Sequence, residues 1–507
     1  MFDFQLLLSG FAAIASPAVF PFLIIGSLLG IIVGAIPGLT ATMAIALLIP
    51  FTFSMEPISG IVMLLAIYAS GIYAGGIAAI LIRTPGTPAA AATLLDGYPM
   101  AQRGQAGRAI GIATISSGIG GLFSACALTL FAPLLATLAL RFSAPEYFAL
   151  AVFGLTVTMS LAGNSPLRGF VSVLAGLFIG MIGIDPIGGF PRLTFGFSEL
   201  SGGFNFVAVM IGLFSLSEAF RQIEQMSTLT PVPPAVRNVL PRIGEIFGMW
   251  GVYLRSCVYG LIVGVAPGIG AETSSFLSYA ETKRTSKDPS RFGKGAPEGV
   301  AAAQAAENGS TGGDLLPMLT LGVPGDAATA VLMGALTIHN LQPGPMLFQE
   351  RPDLIHEIFA GMISANIAFV VLGLLGARLF AKVVQIDRRV LVPLVCLLSL
   401  VGAYAIDNNP FDVWVTLAFG TIGWLMQRNG FPVSPLVLAL ILGGMMESNL
   451  RRSLIMGLGS PAVFLDRPIA LAILALAGLS LVAVLRRLKK PEPRESVGAD
   501  TPTRPIQ

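Results

Sequence analysis

Four of the chain's Pro-Gly pairs, Pro37-Gly38, Pro85-Gly86, Pro267-Gly268 and Pro324-Gly325, interrupt apolar runs. Proline removes a backbone donor and glycine admits positive φ, so a helix reaching such a pair must stop, and the next begins with unpaired N–H groups. Those amides, with about half a unit of positive charge from the helix dipole, suit an anion such as a carboxylate. The candidate anion donors are therefore the backbone N–H groups of Gly38, Gly86, Gly268 and Gly325. Side chains close enough to orient a ligand are Thr40 and Thr42, Thr87 after Pro85-Gly86, Thr273, Ser274 and Ser275, and Asn308 and Ser310 ahead of the last break. Ser and Thr also pack and bond back onto membrane helices, so each has a structural alternative.

Ionisable groups in apolar segments point to function because each costs about 2.5–3.5 kcal/mol at mid-bilayer on insertion scales. Arg83, Glu218, Glu272, Glu307, Asp314 and Asp326 qualify. Arg83, just ahead of Thr84-Pro85-Gly86, could pair with an anionic substrate or with one of these carboxylates. Glu272 and Asp326 closely follow a break, where each could hold a coupling ion, proton or sodium, or simply cap the new helix. Backbone carbonyls near Pro37, Pro267 and Pro324 are candidate sodium ligands. Tyr68, Tyr73 and the three tryptophans Trp250, Trp414 and Trp424 read as packing or interface anchors.

The elements that must position these groups repeat. Gly30-Ile-Ile-Val-Gly34-Ala-Ile-Pro37-Gly38 returns 230 residues later as Gly260 to Gly268, and Thr84-Pro85-Gly86 returns 239 residues later as Val323-Pro324-Gly325. The extra nine residues fall in a hydrophilic loop, Lys283 to Glu298. Flanks of the first signature carry Asp3 and Glu56 without a cation, whereas the second lies between Arg221, Arg237, Arg242 and Lys283, Arg284, Lys287, Arg291, Lys294. Charges beyond the second Pro-Gly pairs reverse: Arg103 and Arg108 in the first copy, mainly Glu350, Asp353 and Glu357 in the second. By the positive-inside rule the two copies face opposite ways. The expected fold is an all-α polytopic membrane protein, an inverted-topology repeat of broken and re-entrant helices with roughly ten to thirteen membrane segments. Residues 1–220 form the first repeat, 221–245 a cytoplasmic linker, 246–485 the second repeat with additional helices, and 486–507 a basic, Pro-rich cytoplasmic tail.

Composition supports the membrane assignment, with 54% hydrophobic and only 11% charged residues. Mean hydropathy is +0.80. No Lys or Arg precedes Arg83, so the first apolar run lacks the basic start of a cleaved signal and the N-terminus is expected outside. The basic loop residues report orientation, not nucleic-acid binding. Cys126, Cys257 and Cys396 lie in apolar runs, and the two histidines, His339 and His356, offer no metal-ligand spacing. Gly293-Lys294-Gly295 is no phosphate loop, and neither His-Glu-x-x-His nor Gly-x-Gly-Asp occurs. No enzyme motif or cofactor is indicated; without an ATP site, uphill transport would need a sodium or proton gradient.

Ordered motifs run along residues 18–460: Pro85-Gly86-Thr87-Pro88, Leu95 to Met100, Gly104 to Arg108, Pro267 to Glu272 with Ser278-Tyr279, Phe292 to Gly295 with Glu298-Gly299-Val300, and Leu319 to Gly325 through Gln342-Pro343-Gly344-Pro345. Together they resemble the large membrane subunit of the tripartite tricarboxylate transporters, TctA-like proteins. The resemblance implies a bacterial inner-membrane secondary transporter. It would work with a small membrane subunit of about four helices and a periplasmic solute-binding protein that delivers a carboxylate. The family's signature regions then fall on Gly30 to Thr42, Gly260 to Ser275 and Leu321 to Asp326. Where the family is expected to read Glu-Ala-Ala-Asn-Asn, this chain has Gln304-Ala305-Ala306-Glu307-Asn308, which places an extra carboxylate, Glu307, among the candidate ion-coupling groups. The resulting expectation is an ion-coupled carboxylate importer; the alternatives are a gradient-independent anion channel and, third, an intramembrane enzyme using carboxylates alone.

Overall fold

The computed structural model describes residues 3–160, 166–185, 187–224, 234–268 and 270–488. Residues 225–233 of the proposed linker, with Pro231 and Pro233, and the tail from residue 489 lie outside the described residues. The chain is 79% helical. Among the described residues the strands form one short antiparallel pair, Gly183–Ile184 with Pro191–Arg192. Among the described residues, five helices are long and apolar enough to cross a membrane: Pro57–Ile82, Ala91–Ala139, Phe206–Glu224, Pro352–Val383 and Arg389–Asp407. Shorter apolar helices include Phe20–Ala35, Ala41–Thr52, Trp250–Val265 and Ala327–Ile338. They are short because Pro-Gly pairs divide them. Large side chains such as Leu130, Phe131 and Leu134 are exposed on helix surfaces, as expected where the solvent is lipid.

Both copies follow one plan. Phe20–Ala35 turns through Pro37-Gly38 into Ala41–Thr52, then Pro57–Ile82 breaks at Arg83 to Pro88 before Ala91–Met100. Trp250–Val265 turns through Pro267-Gly268 into Gly270–Thr285, and Pro297–Leu321 breaks at Gly322 to Asp326 before Ala327–Ile338. Small residues let the paired backbones close up: a Cβ on Gly26 or Gly34 would collide with the carbonyl of Met63 or Gly71, and one on Gly264 would lie 2.5 Å from Ser310 O.

Equivalent helices of the two halves run antiparallel. Gly76 abuts Gln304, Tyr68 reaches Asp314, and Leu64 and Leu65 line one small cavity with Leu315, Met318 and Leu319. As one number falls the other rises. The pair Ala106–Ala139 and Pro352–Val383 behaves alike, with Thr114 against Gly373, Gly118 against Val370 and Gly121 against Asn366. This is the arrangement of an inverted repeat. Pro57–Ile82 is buried from Ile58 to Leu81, as befits a helix apolar on every side. Pro297–Leu321 is equally buried but carries Gln304, Glu307, Asn308, Ser310, Thr311 and Asp314, all 0% exposed.

Two details differ from the sequence reading. Arg103 lies not in a loop but in a π-turn, Ala101–Gln105, where Gly104 takes φ 76° and bends the Ala91–Met100 helix into Ala106–Ala139. Arg237 and Val239, assigned to the linker, lie against Gly107 and Gly111, where no side chain would fit between the backbones.

Candidate functional site

The first-copy breaks enclose a cavity of about 290 Å³ lined by Pro37, Gly38, Thr40, Thr84 to Pro88, and Glu218, Arg221 and Gln222. The turn forms because Phe20–Ala35 ends at extended Ile36 and Gly38 takes φ 87°, a left-handed conformation open mainly to glycine. Thr40 caps the next helix, its hydroxyl accepting from Met43 N at 3.2 Å. Thr42 is half-buried one residue inside that helix. At the other wall, Gly86 presses on Gly34 O and Gly75 Cα and donates its N–H to Gly75 O at 3.1 Å.

Thr87 connects this cavity to the core. Its hydroxyl donates to Glu307 Oε1 at 3.4 Å, and Gln304 Nε2 donates to Glu307 Oε2 at 2.7 Å. Gln304 is held by Thr93 Oγ1, which accepts from Nε2 at 2.9 Å, and by Ser117 Oγ, which donates to Oε1 at 2.7 Å. A polar chain thus runs from the first-copy break to a buried carboxylate of the second copy. Ser310 sits one turn on, donating to Glu307 O at 2.9 Å.

The second-copy breaks make the complementary cluster. Gly268, at φ 83°, donates its N–H to Gly325 O at 2.6 Å, joining the two breaks directly. Asp326 caps Ala327–Ile338 in a capping box, with Oδ1 accepting from Thr329 N at 2.7 Å. Its Oδ2 accepts from Tyr68 Oη at 3.2 Å, and the same hydroxyl lies 3.1 Å from Asp314 Oδ2. One phenolic proton therefore serves two carboxyl groups, the buried Asp314 and the half-buried Asp326, while Asp314 Oδ1 has no partner among the described residues.

The 239-residue repeat relates the two clusters. It carries Gly86 to Gly325, Thr87 to Asp326, Tyr68 to Glu307, Gly75 to Asp314 and Arg83 to Gly322. A Cβ on Gly86 would lie 2.9 Å from Gly75 Cα, and one on Gly325 2.5 Å from Asp314 Cα. In each half the residue after Pro-Gly bonds the matching residue of the opposite long helix: Thr87 with Glu307, Asp326 with Tyr68. The geometry is shared and the chemistry has diverged.

The remaining candidates are dispersed. Arg83 holds φ 58°, where its counterpart Gly322 has φ 70°, and its exposed guanidinium lies 5.8 Å from the Tyr98 ring centroid, outside the cavity lining. Glu272 and Thr273 lie on an exposed face and join neither cluster. Ser274 donates to Ala306 O at 3.1 Å and Ser275 to Ala89 O at 2.8 Å, pinning the re-entrant helix to both copies. Asn308 is fully buried, with neither amide atom partnered among the described residues. The N–H groups of Gly86 and Gly268 are already engaged within the chain, and Gly325 O, beside Pro324, is occupied by Gly268.

Tyr68, which by sequence reads as a packing residue, instead bridges Asp314 and Asp326 through its hydroxyl. Aligning the copies at 239 residues sets Tyr68 opposite Glu307 and was the available signal. Tyr73 does pack, stacked on Phe369 with ring centroids 5.1 Å apart. Arg221 and Gln222 were missed because they sit at the polar end of an apolar run.

With paired breaks, antiparallel copies and a buried polar spine in place, the family assignment follows. The model of the tripartite tricarboxylate transporter TctA family matches residues 20–438. The chain belongs to this family. It is similar, at 38% identity over 475 residues and 94% of both chains, to an Agrobacterium vitis protein described as "Uncharacterized 52.8 kDa protein in TAR-I ttuC' 3'region". A second Agrobacterium vitis protein, "Uncharacterized protein in TAR-II ttuC' 3'region", is 38% identical over 229 residues, 45% of this chain and 93% of that one. No solved structure matches. This TctA-family chain is therefore a multi-pass membrane protein of a transporter family whose description names three-part assemblies.

Proposed function

We propose that the chain is the large transmembrane subunit of a binding-protein-dependent importer that takes up a di- or tricarboxylate using an ion gradient. Its partners are a small membrane subunit of about four helices and a periplasmic solute-binding protein. It resides in the bacterial inner membrane, N-terminus outside and C-terminus in the cytoplasm. The observation that carries the reading is the cavity between the first-copy breaks, linked by one hydroxyl, Thr87, to the buried Glu307 carboxylate. Solute enters at broken backbone and the coupling cation at the carboxylates behind it, Glu307 and the Asp314–Tyr68–Asp326 cluster, so occupation of one changes the field at the other. Antiparallel copies supply the near-symmetry by which such a site opens alternately to either side.

The test is uptake of labelled citrate, succinate and acetate into proteoliposomes containing both membrane subunits. Sodium and pH gradients are imposed separately, with binding protein added or withheld. Uphill accumulation that needs one gradient and the binding protein supports the proposal. Downhill flux without either would make the chain an anion channel instead.

A further inference from the structure

One wall of the first-copy cavity belongs to neither break. It is the last two turns of the Phe206–Glu224 helix, which contribute Glu218, Arg221 and Gln222. Arg221 Nε donates to Glu218 Oε2 and Nη2 to Glu218 Oε1, both at 2.7 Å, a two-point pairing of guanidinium with carboxylate. Gln222 Nε2 donates to the same Oε1 at 3.1 Å. The Gln222 side chain is 3% exposed, and its Oε1 has no partner among the described residues. Glu218 Oε1 also faces the break turn, since a Cβ on Gly38 would stand 2.9 Å from it.

The Glu218 carboxylate thus lies between an arginine fork and the Pro37-Gly38 turn, the position that a carboxylate ligand of this cavity would take. We propose that Arg221 is the arginine that recognises one carboxylate of a di- or tricarboxylate, and that Glu218 is its built-in stand-in. Solute displaces Glu218 from the fork, and the return of Glu218 expels the solute. The exchange conserves charge, one anion replacing another on Arg221, while Gln222 Nε2 keeps a bond to the displaced Glu218. A planar guanidinium suits this role because it binds a carboxylate at two points, which an ammonium cannot do. Arg221, 37% exposed, stands at the cavity's mouth, and Glu218, 10% exposed, lies deeper. At the repeat-equivalent Gly268 the neighbour is Thr158, so this recognition belongs to one end of the molecule. The inference rests on the carboxylate reading above and names the side chain that performs it.

The test is equilibrium binding of radiolabelled citrate and succinate to the purified full chain in nanodiscs. Arg221→Gln is expected to weaken both at least tenfold and Arg221→Lys to weaken them less. Glu218→Gln, which removes the competing anion, is expected to tighten both severalfold while slowing their dissociation. Wild-type affinity in Arg221→Gln, or Glu218→Gln binding as weakly as Arg221→Gln, would overturn the exchange and leave the pair a structural strut. Sulfate competing as well as citrate would overturn carboxylate recognition. Should Arg221→Gln fail to fold, Glu218→Gln decides: tightening supports the exchange and no change overturns it. Failure of the wild-type chain to bind citrate or succinate, together with no carboxylate uptake by the complete assembly, would instead strike the functional reading itself.

Discussion

Replacing Glu307 by glutamine removes an ionisable group from the network behind the first break while keeping its shape. Glu307 accepts from Thr87 Oγ1 at 3.4 Å and from Gln304 Nε2 at 2.7 Å, and is 0% exposed. A glutamine whose carbonyl faces Gln304 and whose amide faces Thr87 preserves both contacts, because the Thr87 hydroxyl can turn to accept. Two bonds to a charged group, worth about 1.5–3 kcal/mol each, become neutral bonds worth about 0.5–1.5. Against that loss of roughly 2–3 kcal/mol stands relief from burying a carboxylate, about 2.5–3.5 kcal/mol on insertion scales. The terms nearly cancel, so Glu307→Gln should insert and melt like wild type, within about 1–2 kcal/mol. Glu307→Ala has no such compensation: it leaves a void and strands the donors of Thr87 and Gln304, at about 1–3 kcal/mol for each unsatisfied group. In proteoliposomes Glu307→Gln should lose gradient-driven accumulation while still exchanging internal for external carboxylate. Accumulation by Glu307→Gln equal to wild type under the same gradient would refute a coupling role for this carboxyl.

Tyr68→Phe deletes the hydroxyl that reaches Asp314 and Asp326, exposing each to a missing bond worth about 1–3 kcal/mol; a lower melting temperature in nanodiscs and altered ion dependence of uptake are expected, and no change in either would remove Tyr68 from the account. Gly268→Val and Gly325→Val should abolish uptake while leaving insertion intact, since a Cβ at these positions would stand 2.5 Å from Thr158 Oγ1 and from Asp314 Cα respectively; normal uptake by either would contradict the break assignment. The backbone N–H groups of Gly188 and Ile187, with the Arg451 guanidinium, hold Asp185 well below the usual carboxylate range. That stabilisation is fully present above the ordinary carboxylate value, about 3.9, and is lost only as pH falls toward the depressed one. Hydrogen exchange of residues 183–192 should therefore stay protected from pH 7 to about 5 and loosen in stronger acid, whereas Asp185→Asn should be loose throughout; a hairpin that opens near pH 6 would show that Asp185 does not anchor it.

The four backbone breaks were legible because they depend on local chemistry. Proline and glycine stop a helix wherever they fall, and Ile36 to Leu39, Arg83 to Pro88, Ala266 to Gly268 and Gly322 to Asp326 are all non-helical at the expected places. Antiparallel copies were legible because charge asymmetry is a property of flanks and needs no contacts. Long-range juxtapositions were not: Tyr68 meets Asp314 and Asp326 across 246 and 258 residues only because two buried helices cross. Nothing in the local sequence at Tyr68 distinguishes a bridging hydroxyl from a packing ring. The wall formed by Arg221 was hidden differently, since the apolar run read as ending at 220 continues as helix to Glu224. Its last turn, which reads as the start of a solvated linker, instead folds against the first break. Glu272 and Thr273 show the reverse case, proximity to a break in sequence without membership of either cluster.

The most direct measurement is a cryo-electron-microscopy map of the chain with its membrane partner in the presence of citrate. The account predicts interrupted helices at all four Pro-Gly pairs and ligand density between Gly38, Thr84 to Thr87 and Arg221. Continuous helices through those pairs, or citrate density confined to another surface, would contradict it.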